Sequence, residues 1–186
     1  MFVAWTIRRG AERFWDTRKM PDVTLILPSG LVLLRRAAHE DLSALLQLLA
    51  DDPVSASRGD TDRVEDRPTY ERAFVAIDSD PAQQLLVATS LQSEVLATMQ
   101  LTVIPGLARV GSSRLQIEAV RVRSDQRNRG IGGAMIRWAV NNAASYGARL
   151  VQLTSDAARI DAHRFYERLG FEASHVGFKC AVPMID

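Results

Sequence analysis

The sequence has little cysteine, lysine or histidine, and each scarcity excludes something. Cys180 is the only cysteine, so no internal disulfide can form, and a reducing cytoplasm is the expected compartment. The cysteine itself is given no role. The three histidines, His39, His163 and His175, lack the spacing of metal ligands, and no metal is expected. Lys19 and Lys179 are the only lysines among 23 basic residues, and the net charge is +1. That balance is too even to point to nucleic acid. No apolar run approaches the length of a membrane span, and the first residues lack the apolar block of a secretory signal. Neither nucleic acid nor membrane is therefore an expected partner. Three site signatures are also missing. There is no Gly-Lys-Ser/Thr of a triphosphate loop, no third glycine to complete a dinucleotide fingerprint after "GIGGAM", and no G-x-S-x-G of a serine hydrolase.

What is present suits one soluble domain. The chain has 186 residues, 47% apolar and 24% charged. Residues 1–20 read as a poorly ordered N-terminal extension, or alternatively as an amphipathic arm using Trp5, Phe14 and Trp15. Residues 21–186 read as a single domain. "VTLILPSGLVLLRRA" predicts a hairpin around Pro28-Ser29-Gly30. Leu42, Leu45, Leu46 and Leu49 repeat at helical spacing, and a second helix is predicted over about Thr69 to Ile77. "QQLLVATS" and "EVLATMQLTVI" form a second predicted hairpin, followed by a strand in "LQIEAVRV". A helix from Ile131, a strand in "RLVQLTS" and a helix in "RIDAHRFYERLG" follow. "FEASHVGFKCAV" is expected to supply one or two closing strands. The order predicts an α/β fold, a mixed sheet with helices on both faces. The strand–helix–strand unit from Leu115 to Thr154 should contain a parallel pair with a right-handed crossover.

One helix opens strangely. Gly130, Gly132 and Gly133 crowd its first turn, behind Arg121, Arg123, Arg127 and Arg129. Glycine weakens a helix by roughly 1 kcal/mol per site relative to alanine. The first turn of a helix, however, has backbone N–H groups without internal partners, and with the helix dipole they bind anions. Glycine lets an anion approach them closely, and arginine adds charge-assisted hydrogen bonds. The stretch meets the needs of a diphosphate cradle; the alternative is a tight turn with glycine for packing and arginines in water.

"RNRGIG" resembles the R/Q-x-x-G-x-G/A signature of the GNAT superfamily of acetyl-CoA-dependent N-acetyltransferases. "IEAVRV" is similar to that family's preceding cofactor strand, and "AHRFYERLGF" to its later A-x-x-x-Y-x-x-x-G-F element. These motifs stand in the family's order between Leu115 and Phe178. One position departs from it: many relatives carry asparagine where this chain has Arg159. The resemblance implies a GNAT-like acyl-CoA N-acyltransferase fold, with a mostly antiparallel sheet and a central parallel strand pair. It implies acetyl-CoA, or coenzyme A, as co-substrate.

The resemblance also assigns residues. The diphosphate would sit on Arg127, Arg129, Gly130, Ile131, Gly132 and Gly133. The pantetheine arm would add to the main chain of Val120, Arg121 and Val122 like another strand. The N–H of Val120 would stabilise the oxyanion of the reacting acetyl group. Tyr166 would hold and protonate the departing sulfur; its plain reading is a core tyrosine. Glu118, on a strand expected to be covered on both faces, is the candidate base, the alternative being a carboxylate held by Arg114. The implied reaction is direct attack of a primary amine, of a small molecule, on the thioester in a ternary complex. Alternatives are a protein N-terminal or lysine acetyltransferase, and a catalytically silent coenzyme A-binding regulatory module. Family members can pair as homodimers. The acceptor is expected near the early helices, where Asp51, Asp52, Asp60, Asp62, Glu65 and Asp66 are interleaved with Arg58, Arg63 and Arg67.

Overall fold

The computed structural model describes residues 20–52, 59 and 61–182. The expected N-terminal extension lies outside them, apart from Met20. Six strands form one sheet in the order β1-β2-β3-β4-β5-β6: β1 Val23–Leu27, β2 Gly30–Arg36, β3 Gln83–Thr89, β4 Val95–Ile104, β5 Ser113–Val122 and β6 Ala148–Leu153. Neighbours are antiparallel except β5 and β6, which are parallel. Parallel strands need a crossover, and helix α3, Ile131–Asn142, supplies it. Two earlier helices, α1 Leu42–Ala50 and α2 Arg67–Ser79, lie between β2 and β3 in sequence. A fourth, α4 Ile160–Glu167, follows β6.

The helices divide between the two faces because the strands alternate. Met99, Leu101, Leu115 and Ile117 point into the larger core with Ile131, Met135 and Ile136 of α3. Phe165, Tyr166 and Leu169, in and just after α4, pack against the same core. On the other face, Leu42, Leu45 and Leu46 of α1 meet Phe74 of α2 and Val87 of β3. That face turns polar toward one end, where Gln83 accepts from Thr102 at 2.7 Å and Gln152 donates to Gln116 at 2.7 Å. Helix α2 begins at Arg67, earlier than the periodicity suggests, since Pro68 is tolerated in a first turn.

Two expectations need correction. "FEASHVGFKCAV" forms no strand; residues 172–182 are exposed and irregular. The parallel pair consequently stands at one end of the described sheet rather than at its centre. The alternation of Val176, Phe178 and Cys180 looks like a strand locally, but a strand also needs a hydrogen-bonded neighbour.

Candidate active site

The sheet opens where β5 and β6 part. They pair from Ser113 to Ile117, and β6 ends at Leu153, while β5 continues to Val122 alongside β4. A β-bulge starts at the same point. Glu118 stands opposite Gln100 and Arg121 opposite Thr98, so three steps on β5 match two on β4. Ala119 carries the kink at φ 50°, a left-handed conformation rare for any residue with a Cβ. The main chain of Val120, Arg121 and Val122 thus runs past the end of β6, on the side where another extended group can bond to it. Their side chains are half-buried.

Helix α3 starts at the mouth of this opening. Its cap, Gly130, is left-handed at φ 88°, which explains glycine there. The first helical hydrogen bond runs from the N–H of Ala134 to the carbonyl of Gly130 at 3.0 Å. The N–H groups of Ile131, Gly132 and Gly133 precede it and lie at the positive end of the helix dipole. The tip of the β1–β2 hairpin holds the approach: Ser29 Oγ donates to the carbonyl of Arg129 at 3.0 Å. Gly132 has a packing reason as well. A Cβ there would meet Val122 Cγ2 at 3.3 Å and Phe165 Cζ at 3.7 Å. Packing thus accounts for Gly132, while the amides of the same turn have no partner within the helix. Arg127 Nε donates to the carbonyl of Val122 at 3.2 Å, and its guanidinium lies 3.7 Å from Asp51. Arg129 donates to Gln126 at 2.9 Å. Both arginines are exposed beside the helix start, as an anion site requires.

Tyr166 projects from α4 against Phe165 and Phe171, with ring centroids 5.3 and 6.1 Å away. Burial pushes its phenol above the ordinary tyrosine value, against the opposing pull of Arg159 and Arg121. A phenol held protonated near two cations can donate to a developing thiolate. Tyr166 is thus both a packed aromatic and a polar group facing the cleft's charges.

Glu118 departs from expectation. It is exposed rather than covered. It alternates with Ile117 and so faces away from the larger core, and β6 ends beside Ile117, so no strand on that side covers it among the described residues. Arg114 makes no ion pair with it among the described residues.

Asp52 gains a sharper place than the sequence gives it. It is not a solvated loop carboxylate: it is 4% exposed, just beyond the end of α1. Arg121 Nε lies 2.7 Å and Arg159 Nη1 3.1 Å from the same oxygen, Oδ2. This trio ties α1, β5 and the start of α4 together next to Tyr166. Arg159, the departure from the family pattern, is its outermost member. Asp60 and Arg58 lie outside the described residues. Of the histidines, His39 edges onto Phe74, with ring centroids 5.9 Å apart, and His163 Nε2 is 2.8 Å from the carbonyl of Asp156. His175 is exposed beside Ser174.

The residues present fit a thioester of coenzyme A. The helix start offers amides and arginines for a diphosphate, the bulged strand offers main-chain groups for an extended arm, and Tyr166 offers a protonated phenol under the influence of Arg159 and Arg121.

Comparison with known proteins agrees with this geometry. The Acetyltransferase (GNAT) family profile matches residues 42–171. An aminoalkylphosphonate N-acetyltransferase of Salmonella typhimurium is 37% identical over 67 residues, which is 36% of this chain and 44% of that protein. The chain thus spans less than half the length of that relative. A protein described as a transcriptional regulator from Bacillus halodurans C-125 superposes with a TM-score of 0.77 at 40% identity, covering 81% of this chain and 99% of its own. A predicted acetyltransferase of Clostridium acetobutylicum, solved with acetyl-CoA, shares the fold at a TM-score of 0.63 and 16% identity, over 81% of this chain and 96% of its own. With the family profile spanning strands β3 to β6, the crossover helix α3 and the Tyr166 element, the chain belongs to the acetyltransferase (GNAT) family.

Proposed function

We propose that the protein transfers the acetyl group of acetyl-CoA to the primary amine of a small molecule. The observation that carries this reading is the parting of β5 from β6 after Ile117, where β5 runs on through Val120 to Val122 toward the glycine-opened start of α3 at Ile131–Gly133. Acetyl-CoA supplies an acetyl group already activated as a thioester. The chain's residues do the rest. The helix start and Arg127 and Arg129 hold the diphosphate. The N–H of Val120 stabilises negative charge on the acetyl oxygen. As the amine nitrogen bonds to the carbonyl carbon and the carbon–sulfur bond breaks, Tyr166 gives its proton to the sulfur. Glu118 takes the proton lost by the amine, and solvent exchanges both groups back. The relative of Salmonella typhimurium, an aminoalkylphosphonate N-acetyltransferase, supports a small amine as acceptor.

A second reading has one observation in its favour: the relative of Bacillus halodurans is described as a transcriptional regulator. On that reading the domain binds coenzyme A as a regulatory module without turnover. Thiol release from acetyl-CoA across a panel of small amines and peptides separates the two. Release with a small amine is the expected outcome. Calorimetric binding of acetyl-CoA with no release on any amine would establish the module instead, and release with peptides alone would establish a protein modifier.

A further inference from the structure

Glu118 and Arg121 share one face of β5, which an unbroken strand would not allow. Positions three apart on a regular strand point to opposite faces. The bulge adds one residue, so their partners Gln100 and Thr98 are two apart on β4 and the two side chains emerge together on the α1 face. They lie about 7 Å apart along the sheet, two strand positions. Arg159 reaches the same place from the start of α4, because both guanidiniums lie at ion-pair distance from Asp52 Oδ2. Within the trio two guanidiniums share one carboxylate. Arg159 uses Nη1 on Asp52 and keeps 33% of its side chain exposed. The cleft therefore presents an exposed carboxylate at one position and a guanidinium pair at the next, and the charge of that pair reaches Tyr166.

We propose that the acceptor is a short zwitterion, with its amine at Glu118 and an anionic end, carboxylate or phosphonate, seated on the half-exposed guanidinium of Arg159. This deepens the N-acetyl transfer reading and rests on it. The planar guanidinium fork matches both kinds of anion. The carboxylate attracts an ammonium group and then accepts its proton. A diamine would set its second cation against two guanidiniums, and an uncharged amine would have no anchor for its far end.

The test compares four amines of similar length: 2-aminoethylphosphonate, 3-aminopropanoate, ethanolamine and 1,3-diaminopropane. The two zwitterions should exceed ethanolamine in kcat/KM by roughly tenfold or more, the scale of a charge-assisted hydrogen bond, with the diamine slowest. The ratio between the zwitterions tells phosphonate from carboxylate. Arg159→Gln should collapse the zwitterion-to-ethanolamine ratio by about the same factor, and Arg159→Lys should restore part of it. A readout without turnover is calorimetry of the coenzyme A-saturated protein with ethylphosphonate and with propanoate. Binding of at least one, lost in Arg159→Gln, is expected. A preference for ethanolamine or the diamine, an unchanged ratio in Arg159→Gln, or no binding of either anion overturns the proposal. Turnover of ethanolamine without anion preference sinks this proposal alone. Silence with every amine together with no heat from acetyl-CoA sinks the transfer reading as well.

Discussion

Tyr166 carries the most testable single role. Its ring lies among Phe165 and Phe171, so Tyr166→Phe keeps the packing and removes only the hydroxyl. If the phenol protonates the sulfur, kcat should fall about a hundredfold while acetyl-CoA affinity stays within about threefold. Stopped-flow thiol release alongside calorimetry checks both. An unchanged kcat would make Tyr166 a packing residue. Because burial raises its pKa, the loss of activity from phenolate formation should come above the ordinary tyrosine range near 10. How far single residues can be read from the letters varies with the locality of their cause. Gly130 was legible, since a left-handed helix cap and an anion cradle both ask for glycine at that one place. Asp52 was not legible beyond its charge. Its partner Arg159 lies 107 residues away, and nothing near "ADDP" distinguishes a buried carboxylate from a solvated one.

Among elements, α1 matters most for the site, because its far end delivers Asp52. Its near end is fixed by Asp41, which accepts from Arg35 at 2.6 and 2.9 Å and from the N–H of Ala38 at 2.7 Å. Burial alone would raise the Asp41 carboxyl, but Arg35 and the Ala38 amide outweigh it and hold it below the ordinary value of 3.8. A carboxylate with a lowered pKa stabilises the fold above its unfolded value and loses that contribution as pH falls through the folded one. Asp41→Asn should therefore cost about 3 kcal/mol at pH 7 and flatten the decline in stability below about pH 4. Urea unfolding at pH 7 and at pH 3 measures both, and equal costs at the two pH values would contradict the assignment. Elements with a local pattern were readable in advance: the leucine stripe of α1, the two hairpins and the crossover helix. The bulge in β5 was not. An alanine at φ 50° leaves no mark in the sequence, and its effect on Arg121 comes only with the register against β4. The closing strand failed for the complementary reason: alternation describes one strand, and pairing involves two.

For the whole molecule, the open question is the end of the sheet. The outer side of β6 pairs with no strand among the described residues, and the chain beyond α4 shows Val176, Phe178 and Val182 at 80%, 93% and 85% exposure. A side chain that touches so little contributes little. Phe178→Asp should change stability by about 0.5 kcal/mol or less and leave the melting temperature nearly where it was. Thermal unfolding checks this. A large drop would mean that the segment is seated against something in solution, and sedimentation of the same variant would show whether that something is a second copy. No helix among the described residues is long and apolar enough to cross a membrane.

The extra residue in β5 has a consequence for how this gene can drift. Removing the extra amino acid at Ala119 would straighten the ladder and leave Val120 and Val122 inward and Arg121 outward, whereas adding one beside it would turn the guanidinium inward and a valine toward solvent. Exchanging one amino acid for another there changes a single contact. Over this short stretch a single deletion should therefore be absorbed better than a single insertion, and a library that varies length in both directions would reveal the difference.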